Sequence, residues 1–303
     1  MTDLAVDFAG VRLRNPVLLA SGTCGYGDEL SKLTDLTRLG GLITKTITPE
    51  PRSGNPPPRV VETPAGMLNS IGLQNPGLDR FVTERWRFLE TLDTAIVVNI
   101  AAPTADEHAR MAERLAPLDQ IAALEVNISS PNMKDGGMLF GCNPAAAADV
   151  IRAVRRASAR PVIAKLTPNV TDIAEIARAV EDAGADAISL INTLVGMAID
   201  VRRRRPVLGN TTGGLSGPAI KPVALAMLWK VRQTVRLPLM GIGGIMDAND
   251  ALEFMIAGAL AVQVGTATFV KPNAAQELVE GLEVYCSEQN LPDISTIVGS
   301  LAK

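Results

Sequence analysis

The chain has 303 residues, a formal net charge of -3 and 47% hydrophobic residues, which is enough for a large core. This charge balance argues against nucleic acid or an anionic membrane surface as the partner. The first residues lack a secretory pattern, and no apolar segment approaches the ~20 residues that span a bilayer. Cys24, Cys142 and Cys286 lie far apart in sequence, which favours free thiols and gives no metal-ligand spacing. We therefore expect a soluble, cytoplasmic, globular protein without a metal site.

The alternation of residues 4–13 around Ala9-Gly10 predicts an N-terminal hairpin. Eight apolar, β-branched-rich runs then recur at roughly regular intervals. Most of them are continuous apolar runs, which is typical of parallel strands buried on both faces. The eight predicted strands are residues 17–20, 41–48, 95–101, 123–129, 161–167, 187–193, 238–244 and 261–269.

Amphipathic segments of helical period lie between these runs, most clearly at residues 104–118, 143–157, 170–183 and 247–257. Eight strands that alternate with helices predict a (β/α)8 TIM barrel, with the hairpin across its N-terminal mouth. We expect residues 1–303 to form a single domain. An open doubly wound sheet is the alternative, and it is less favoured because no G-x-G-x-x-G motif follows an early strand.

Two connections are longer than a barrel needs, at residues 49–76 and 194–217. Long ordered loops at the C-terminal face of a barrel are usually lids or binding loops. The second loop contains the arginine run at residues 202–205, which we interpret as a solvated loop or a partner contact. His108 is expected at the solvated surface of a helix, and Trp86 and Trp229 are expected to pack inside.

Chemistry in a barrel collects at the C-terminal ends of the strands. Here those ends carry amides, lysines and glycines, and they supply no carboxylate pair for glycoside chemistry and no metal cluster. Amides and lysines suit a planar, carbonyl-rich, anionic ring. The polar strand ends are Ser21-Gly22, Lys45-Thr46, Asn99, residues 127–132, Lys165, Asn192-Thr193, Gly243-Gly244 and Gly265-Thr266.

The glycines of the last two strand ends predict a phosphate site, because backbone N–H groups converge there in many barrels. Tight strand packing is the competing explanation for these glycines. A phosphate site together with two lysines fits flavin mononucleotide (FMN), whose reduced ring carries charge that Lys165 would stabilise.

Four segments resemble the dihydroorotate dehydrogenases. They are LMGIGGIMDANDALEFMIAGA at residues 239–259, GLQNPG at 72–77, LINTLVGMAID at 190–200 and TGGLSGPAIKP at 212–222. The resemblance covers essentially the whole chain, and it is strongest to the soluble class 1B catalytic subunits. It implies a barrel with one FMN per chain that oxidises (S)-dihydroorotate to orotate in pyrimidine biosynthesis. In that family a base removes a proton from C5 while hydride passes from C6 to the flavin.

The resemblance also implies two sets of binding residues. The cofactor-binding set is Ser21, Lys45, Thr46, Asn99, Asn127, Lys165, Ile191, Gly217, Gly243, Gly244, Gly265 and Thr266. The substrate-binding set is Lys45, Asn69, Ser70, Ile71, Gly72, Leu73, Asn127, Asn132, Asn192 and Thr193.

The motif NISSPN places Ser130 where the family has its catalytic base. Soluble class 1 enzymes usually carry cysteine there, in N-x-S-C-P-N. A serine hydroxyl is a poorer base than a thiol, so the hypothesis of a working Ser130 requires a relay that carries the proton away.

The resemblance to class 1B implies a partner subunit that carries FAD and a [2Fe–2S] cluster and reduces NAD+, around a homodimeric core that makes a heterotetramer. Quinone is disfavoured as the acceptor because the short start lacks an amphipathic extension. Dihydropyrimidine or dihydrouridine oxidoreduction by another flavin barrel remains an alternative. So do a Schiff-base lyase that uses Lys45 or Lys165, and a non-catalytic barrel with a decayed site.

Overall fold

The computed structural model of the chain describes residues 3–129 and 140–302. Within these ranges sixteen strands form. In chain order they are β1 Val6–Phe8, β2 Val11–Leu13, β3 Val17–Leu19, β4 Gly41–Ile43, β5 Val60–Thr63, β6 Gly66–Asn69, β7 Ala95–Ile100, β8 Ile121–Asn127, β9 Val162–Leu166, β10 Ala187–Leu190, β11 Leu194–Gly196, β12 Ile199–Asp200, β13 Arg205–Pro206, β14 Gly213–Ser216, β15 Leu239–Ile242 and β16 Ala259–Val264.

The helices of the described residues are α1 Leu78–Arg80, α2 Trp86–Leu89, α3 Ala105–Leu115, α4 Pro144–Ala157, α5 Ile173–Asp182, α6 Lys221–Arg232, α7 Ala248–Ala257, α8 Ala267–Val270 and α9 Ala274–Glu288. One π-helical turn, Phe81–Arg85, joins α1 to α2. Short 3-10 turns lie at Leu30–Lys32, Leu36–Arg38, Phe140–Cys142, Pro218–Ile220 and Ile294–Ile297.

Eight strands close into one parallel barrel, in the order β3-β4-β7-β8-β9-β10-β15-β16. Each barrel strand pairs in parallel with the next barrel strand in the sequence, and β16 pairs with β3 to close the ring. Helices follow seven of these strands, whereas the connection after β3 carries only short 3-10 turns. The predicted (β/α)8 barrel is confirmed.

The barrel strands are buried almost throughout because each one packs against the interior on one face and against helices on the other. Helices α3, α4, α5 and α7 each bury one stripe and begin at a side-chain cap that the sequence supplies. Asn143 accepts from the N–H of Ala146 at the start of α4, and Asp247 accepts from the N–H of Asp250 at the start of α7.

The predicted N-terminal hairpin is present. Strands β1 and β2 pair antiparallel around Ala9-Gly10, both of which have positive φ angles. The hairpin packs against β16 of the barrel, and the side chains of Phe8 and Leu13 are buried in the core.

The two long connections meet in one antiparallel sheet of the order β11-β14-β6-β5. Strands β5 and β6 come from the first connection, and β11 and β14 come from the second. The pairing of β14 with β6 therefore ties the two loops together near the C-terminal ends of the barrel strands. The arginine run is exposed, as expected for a solvated loop: Arg202, Arg203 and Arg204 lie in the turn between β12 and β13, and Arg205 begins β13.

Several detailed predictions were wrong, among them the end of the last strand and the placement of two side chains. The last strand ends at Val264, and the apolar residues that follow it form α8 because Gly265 and Thr266 break the run. His108 is fully buried and lies on the inner stripe of α3 with Met111 and Leu115. Trp229 is 41% exposed on α6, although Trp86 packs in the core as expected.

Among the residues that the structure describes, no helix is both long enough and apolar enough to cross a lipid bilayer.

Candidate active site

A cavity of about 380 Å³ opens at the C-terminal ends of the barrel strands, beneath the antiparallel sheet of the two loops. This volume is in the range of small-molecule and cofactor sites. Every predicted cofactor-binding residue except Asn99 lines the cavity. Every described residue of the predicted substrate-binding set except Ser70 also lines it. Ser130 and Asn132 lie outside the described residues.

Lys45 reaches the cavity because the backbone leaves the sheet at this residue. The N–H of Thr44 donates to the carbonyl of Val97, and the N–H of Ile47 donates to the carbonyl of Asn99, so both residues remain hydrogen-bonded to strand β7. The N–H of Lys45 instead donates to the carbonyl of Gly25 at 2.8 Å. Such a local break redirects a side chain, as a β-bulge does. Strand β4 therefore ends earlier than the sequence predicts, and the ammonium group enters the cavity.

Burial lowers the pKa of Lys45 from its ordinary value, and the nearby positive charge of Arg59 lowers it further. Arg59 also organises the first long loop, since its guanidinium donates to the carbonyls of Asn55 and Ser53 and to the side chain of Gln74. Lys45 thus brings its charge into the cavity two residues after β4, and Arg59 holds the first long loop close enough to affect that charge.

Four polar side chains form a chain of hydrogen bonds at the wall of the cavity. The hydroxyl of Ser129 donates to Oδ1 of Asn127 at 2.7 Å, and it accepts from Nδ2 of Asn192 at 2.6 Å. Nδ2 of Asn127 donates to the hydroxyl of Thr46 at 3.3 Å. Ser129 was not assigned a role from the sequence, although it lies inside the NISSPN motif. Its position fixes the orientation of two predicted binding amides.

Glycines form the opposite end of the cavity, after β15 and β16. Gly243 and Gly244 have φ angles of 130° and 75°, which L side chains rarely adopt. A Cβ on Gly244 would lie 2.7 Å from Cβ of Lys221 and 2.9 Å from the carbonyl of Gly217. Among the described residues, no partner accepts from the backbone N–H groups of Gly243, Gly244, Gly265 or Thr266. Unpaired N–H groups at such a turn suit an anionic group such as phosphate.

Beneath the floor of the cavity lies a buried carboxylate that was not predicted from the sequence. Glu125 is fully buried and lies two residues before Asn127 on β8, so both side chains point to the same side of that strand. Lys165 and Gln263 line the cavity directly above it and both donate to it. The only sequence signal was an acidic residue inside an otherwise apolar run, Ala123-Leu124-Glu125-Val126.

Asn99 and Ser70 lie just behind the lining. Asn99 is fully buried, its Nδ2 donates to Glu125 at 2.6 Å, and its Oδ1 has no partner among the described residues. The side chain of Ser70 accepts from Nδ2 of Asn55 at 2.9 Å, and its N–H donates to the carbonyl of Arg59. Asn99 therefore acts on the lining only through Glu125, and Ser70 holds Asn55 and Arg59 of the first long loop.

The described lining contains no aspartate, glutamate, histidine or cysteine. Burial raises the pKa of Cys24 to about 12, so this nearby thiol stays protonated. Residues 3–129 and 140–302 contain no group of three or more His, Cys, Asp and Glu side chains that could hold a metal ion. The cavity thus offers lysines, amides and N–H groups, which suit a ligand that has several carbonyls and a phosphate.

A closed (β/α)8 barrel with a lysine- and amide-lined cavity and unpaired glycine N–H groups after its last two strands defines a class of barrels that bind phosphorylated ligands. The family model for dihydroorotate dehydrogenase matches residues 3–285. The chain belongs to the dihydroorotate dehydrogenase family.

Several curated proteins are similar along their whole length. The chain is 56% identical over 299 residues to proteins of Geotalea uraniireducens and Geotalea daltonii, with 99% of this chain and 98% of each relative covered. It is 56% identical over 298 residues to one of Trichlorobacter lovleyi, with 98% of both chains covered. Each of these relatives is named dihydroorotate dehydrogenase B (NAD(+)), catalytic subunit.

Proposed function

We propose that this chain is the FMN-dependent catalytic subunit of an NAD+-linked dihydroorotate dehydrogenase, which oxidises (S)-dihydroorotate to orotate in pyrimidine biosynthesis. The observation that carries the proposal is the convergence of both predicted binding sets on one cavity, in a chain of this family. The full-length relatives support the acceptor, since their name includes NAD(+).

The cavity residues fit FMN in three respects. The unpaired N–H groups after β15 and β16 suit its phosphate. The Oε1 atom of Gln263 is a buried acceptor without a partner among the described residues, which suits a ring N–H. Lys165 brings a buried positive charge to the same floor. Bound FMN supplies a two-electron acceptor for the oxidation.

The residues that would hold FMN are Ser21, Lys45, Thr46, Asn99, Asn127, Lys165, Ile191, Gly217, Gly243, Gly244, Gly265 and Thr266. Those that would hold dihydroorotate are Lys45, Asn69, Ser70, Ile71, Gly72, Leu73, Asn127, Asn132, Asn192 and Thr193. Lys45 attracts the carboxylate of the substrate. The amides linked by Ser129 offer donors and acceptors to the carbonyl and N–H groups of its ring.

Ser130 is proposed as the base that takes the proton from C5. Its place in NISSPN supports this role, as does the lack of any carboxylate, imidazole or thiol in the described lining. The Ser130→Ala variant should bind FMN and lose orotate formation at every pH. The Ser130→Cys variant should form orotate faster and reach its optimum at lower pH, because a thiol gives up its proton more readily. Full turnover by the Ser130→Ala variant would contradict the assignment of Ser130 as the base.

A partner subunit with FAD and a [2Fe–2S] cluster is proposed to carry electrons to NAD+, around a homodimer of this chain in a heterotetramer. The words "catalytic subunit" in the names of the relatives support a partner. Purified alone, the chain should reduce an artificial acceptor and not NAD+. Reduction of NAD+ by the chain alone would contradict the partner proposal, and light scattering of the reconstituted complex would give its subunit count.

Residues 1–303 are proposed to form one domain in the cytoplasm. All three cysteines are free thiols, which supports a reducing compartment. A single domain should unfold in one transition when fluorescence and circular dichroism are followed together. Two separate transitions would indicate a second unit.

Substrate choice is tested by steady-state turnover of the FMN-loaded chain with dihydroorotate, dihydrouracil and uracil. Dihydroorotate should be oxidised much faster than dihydrouracil, because only dihydroorotate has the carboxylate that Lys45 would bind. A preference for dihydrouracil or for the reduction of uracil would favour the dihydropyrimidine alternative.

A further inference from the structure

We propose that Glu125 is a positioning residue that sets both the charge and the hydrogen-bond polarity of the cavity floor that faces the flavin ring. The inference rests on the proposed function, since FMN is the group that this floor would meet. Glu125 does not line the cavity and acts through two residues that do, Lys165 and Gln263.

The geometry is a four-donor arrangement around one fully buried carboxylate. Its Oε1 accepts from Nδ2 of Asn99 at 2.6 Å and from Nζ of Lys165 at 3.3 Å. Its Oε2 accepts from the hydroxyl of Ser189 at 2.7 Å and from Nε2 of Gln263 at 2.8 Å. The donors come from strands β7, β9, β10 and β16, so the carboxylate joins strands from around the barrel.

Glu125 determines which end of the Gln263 amide is left free for a ligand. An ionised carboxylate only accepts hydrogen bonds, so the amide of Gln263 must turn its NH2 group toward Glu125. Its Oε1 is then left as a buried acceptor without a partner among the described residues. The floor thereby presents one acceptor near one cation, which complements the ring N–H and the adjacent carbonyl of a flavin pyrimidine edge.

Charge is the second quantity that Glu125 sets. The side chain of Lys165 is 6% exposed, and its one hydrogen-bonding partner among the described residues is Glu125. An ammonium in such a place needs a compensating anion. With Glu125 present, the positive charge is already balanced before the flavin is reduced. Without it, the reduced ring would be the anion nearest to Lys165.

The Glu125→Gln variant keeps the shape and removes the charge. The amide of the new glutamine has one oxygen that accepts and one NH2 group that donates, so it cannot accept from all four neighbours. Its NH2 group would face the NH2 group of Gln263, which would have to turn around. We expect oxidised FMN to bind about tenfold more weakly, because Gln263 turns its NH2 group to the ring N–H. We also expect the two-electron reduction equilibrium of the bound flavin to become about tenfold more favourable, a rise of about 30 mV in midpoint potential.

The readouts are the FMN dissociation constant from fluorescence quenching, the midpoint potential from a redox titration, and the melting temperature of the apoprotein. Glu125→Asp keeps the charge, so the equilibrium constant for two-electron reduction of its bound flavin should stay within twofold of wild type. Ser158→Ala is the matched control, because it removes a buried serine hydroxyl that lies outside both the Glu125 cluster and the described lining. It should leave both constants within about twofold of wild type.

A purely structural carboxylate would give a different pattern. Glu125→Gln would then lower the melting temperature and leave the dissociation constant and the potential of the folded protein unchanged, which would overturn the inference. If Glu125→Gln does not fold, Lys165→Gln is compared with Glu125→Gln/Lys165→Gln, in which two amides can bond to each other. If the reduction equilibrium constants of the single and the double variant agree within twofold, Glu125 acts through Lys165. A larger difference contradicts it.

Failure of this inference is separable from failure of the proposed function. Wild-type apoprotein that does not bind FMN would contradict the proposed cofactor and, with it, the role of Glu125. Wild-type protein that binds FMN, together with a folded Glu125→Gln variant that matches it in both constants, would contradict only the role of Glu125.

Discussion

The ring of His108 accepts a hydrogen bond from the backbone N–H of Ala102, with 3.0 Å between Nε2 and the amide nitrogen. The other ring nitrogen, Nδ1, lies 2.9 Å from the carbonyl of Thr104 and donates to it. The ring is fully buried, packs edge-on against Phe140 and is held in its neutral form. This is the single histidine of the chain, so one residue fastens the segment after β7 to the start of α3.

Burial lowers the pKa of His108 from 6.5 to about 4. The unfolded chain therefore binds more protons than the folded chain between these values, and stability falls as the pH falls through that window. We expect a loss of up to roughly 3 kcal/mol in the free energy of unfolding between pH 6.5 and pH 4 from this residue.

The test compares denaturant unfolding of the wild type and of His108→Gln over this range, with the titration of the single histidine followed by NMR. The glutamine variant should be less stable at neutral pH and should lose less stability on acidification. A histidine that titrates at its ordinary pKa would contradict the assignment.

Substitution of Lys45 should affect the substrate more than the fold. Lys45→Met removes the charge proposed for the carboxylate of dihydroorotate, and we expect KM to rise at least tenfold, which is roughly 1.4 kcal/mol of binding. Lys271→Met, which removes an exposed lysine outside the described lining, is the matched control and should leave KM unchanged. Equal KM values for all three proteins would remove Lys45 from the substrate site.

The pH dependence of KM gives a second test of Lys45. Because burial lowers the pKa of this ammonium, it loses its proton at a lower pH than an ordinary lysine. The protonated form binds the anionic substrate, so KM should rise with pH on the alkaline side. Lys45→Arg keeps its charge there, and its KM should stay flat as the pH rises. A parallel rise in both proteins would assign the titration to another group.

Gly244 should not tolerate a side chain. A Cβ there would lie 2.8 Å from the backbone nitrogen of Lys221, and the φ angle of 75° is strained for any other residue. We expect Gly244→Ala to cost about 1–3 kcal/mol of stability and to weaken FMN binding at least tenfold. Gly265→Ala is the control, since its Cβ would meet only ordinary contacts at 3.4 Å or more. Equal losses in the two variants would contradict the steric argument.

Ser129 should matter through the two amides that it joins. Ser129→Ala removes one hydrogen bond to Asn127 and one from Asn192. At about 1 kcal/mol for each bond, KM should rise about tenfold or more while the dissociation constant of FMN changes less. Ser158→Ala is a control that removes a buried serine hydroxyl outside the described lining. A Ser129→Ala protein with wild-type KM would show that the amides keep their orientation without it.

Much of the fold follows from local sequence features. Continuous apolar runs marked all eight barrel strands, because a strand buried on both faces carries no polar alternation. Their polar ends then pointed to the cavity, because parallel strands in a barrel all end at one rim. The pairing of β6 with β14 could not be predicted, since the paired residues of the two loops lie more than 140 positions apart in the sequence.

The residues that were not predicted correctly from the sequence lie inside strands or a helix rather than at strand ends. Glu125 stands inside an apolar run, and its four donors come from strands that are distant in sequence. Gln263 is likewise inside its strand, two residues before Gly265. His108 could have been placed correctly, because it shares the helical spacing of Met111, Ala112 and Leu115 on the buried stripe of α3. Its polar neighbours suggested the surface instead.

The central claim is tested most directly by an anaerobic titration of the FMN-loaded chain with dihydroorotate, followed by flavin absorbance and by chromatography of the products. The flavin absorbance should bleach in proportion to added dihydroorotate, and one orotate should form for each flavin reduced. A yellow protein that binds FMN and keeps its absorbance with excess dihydroorotate would contradict the proposed function.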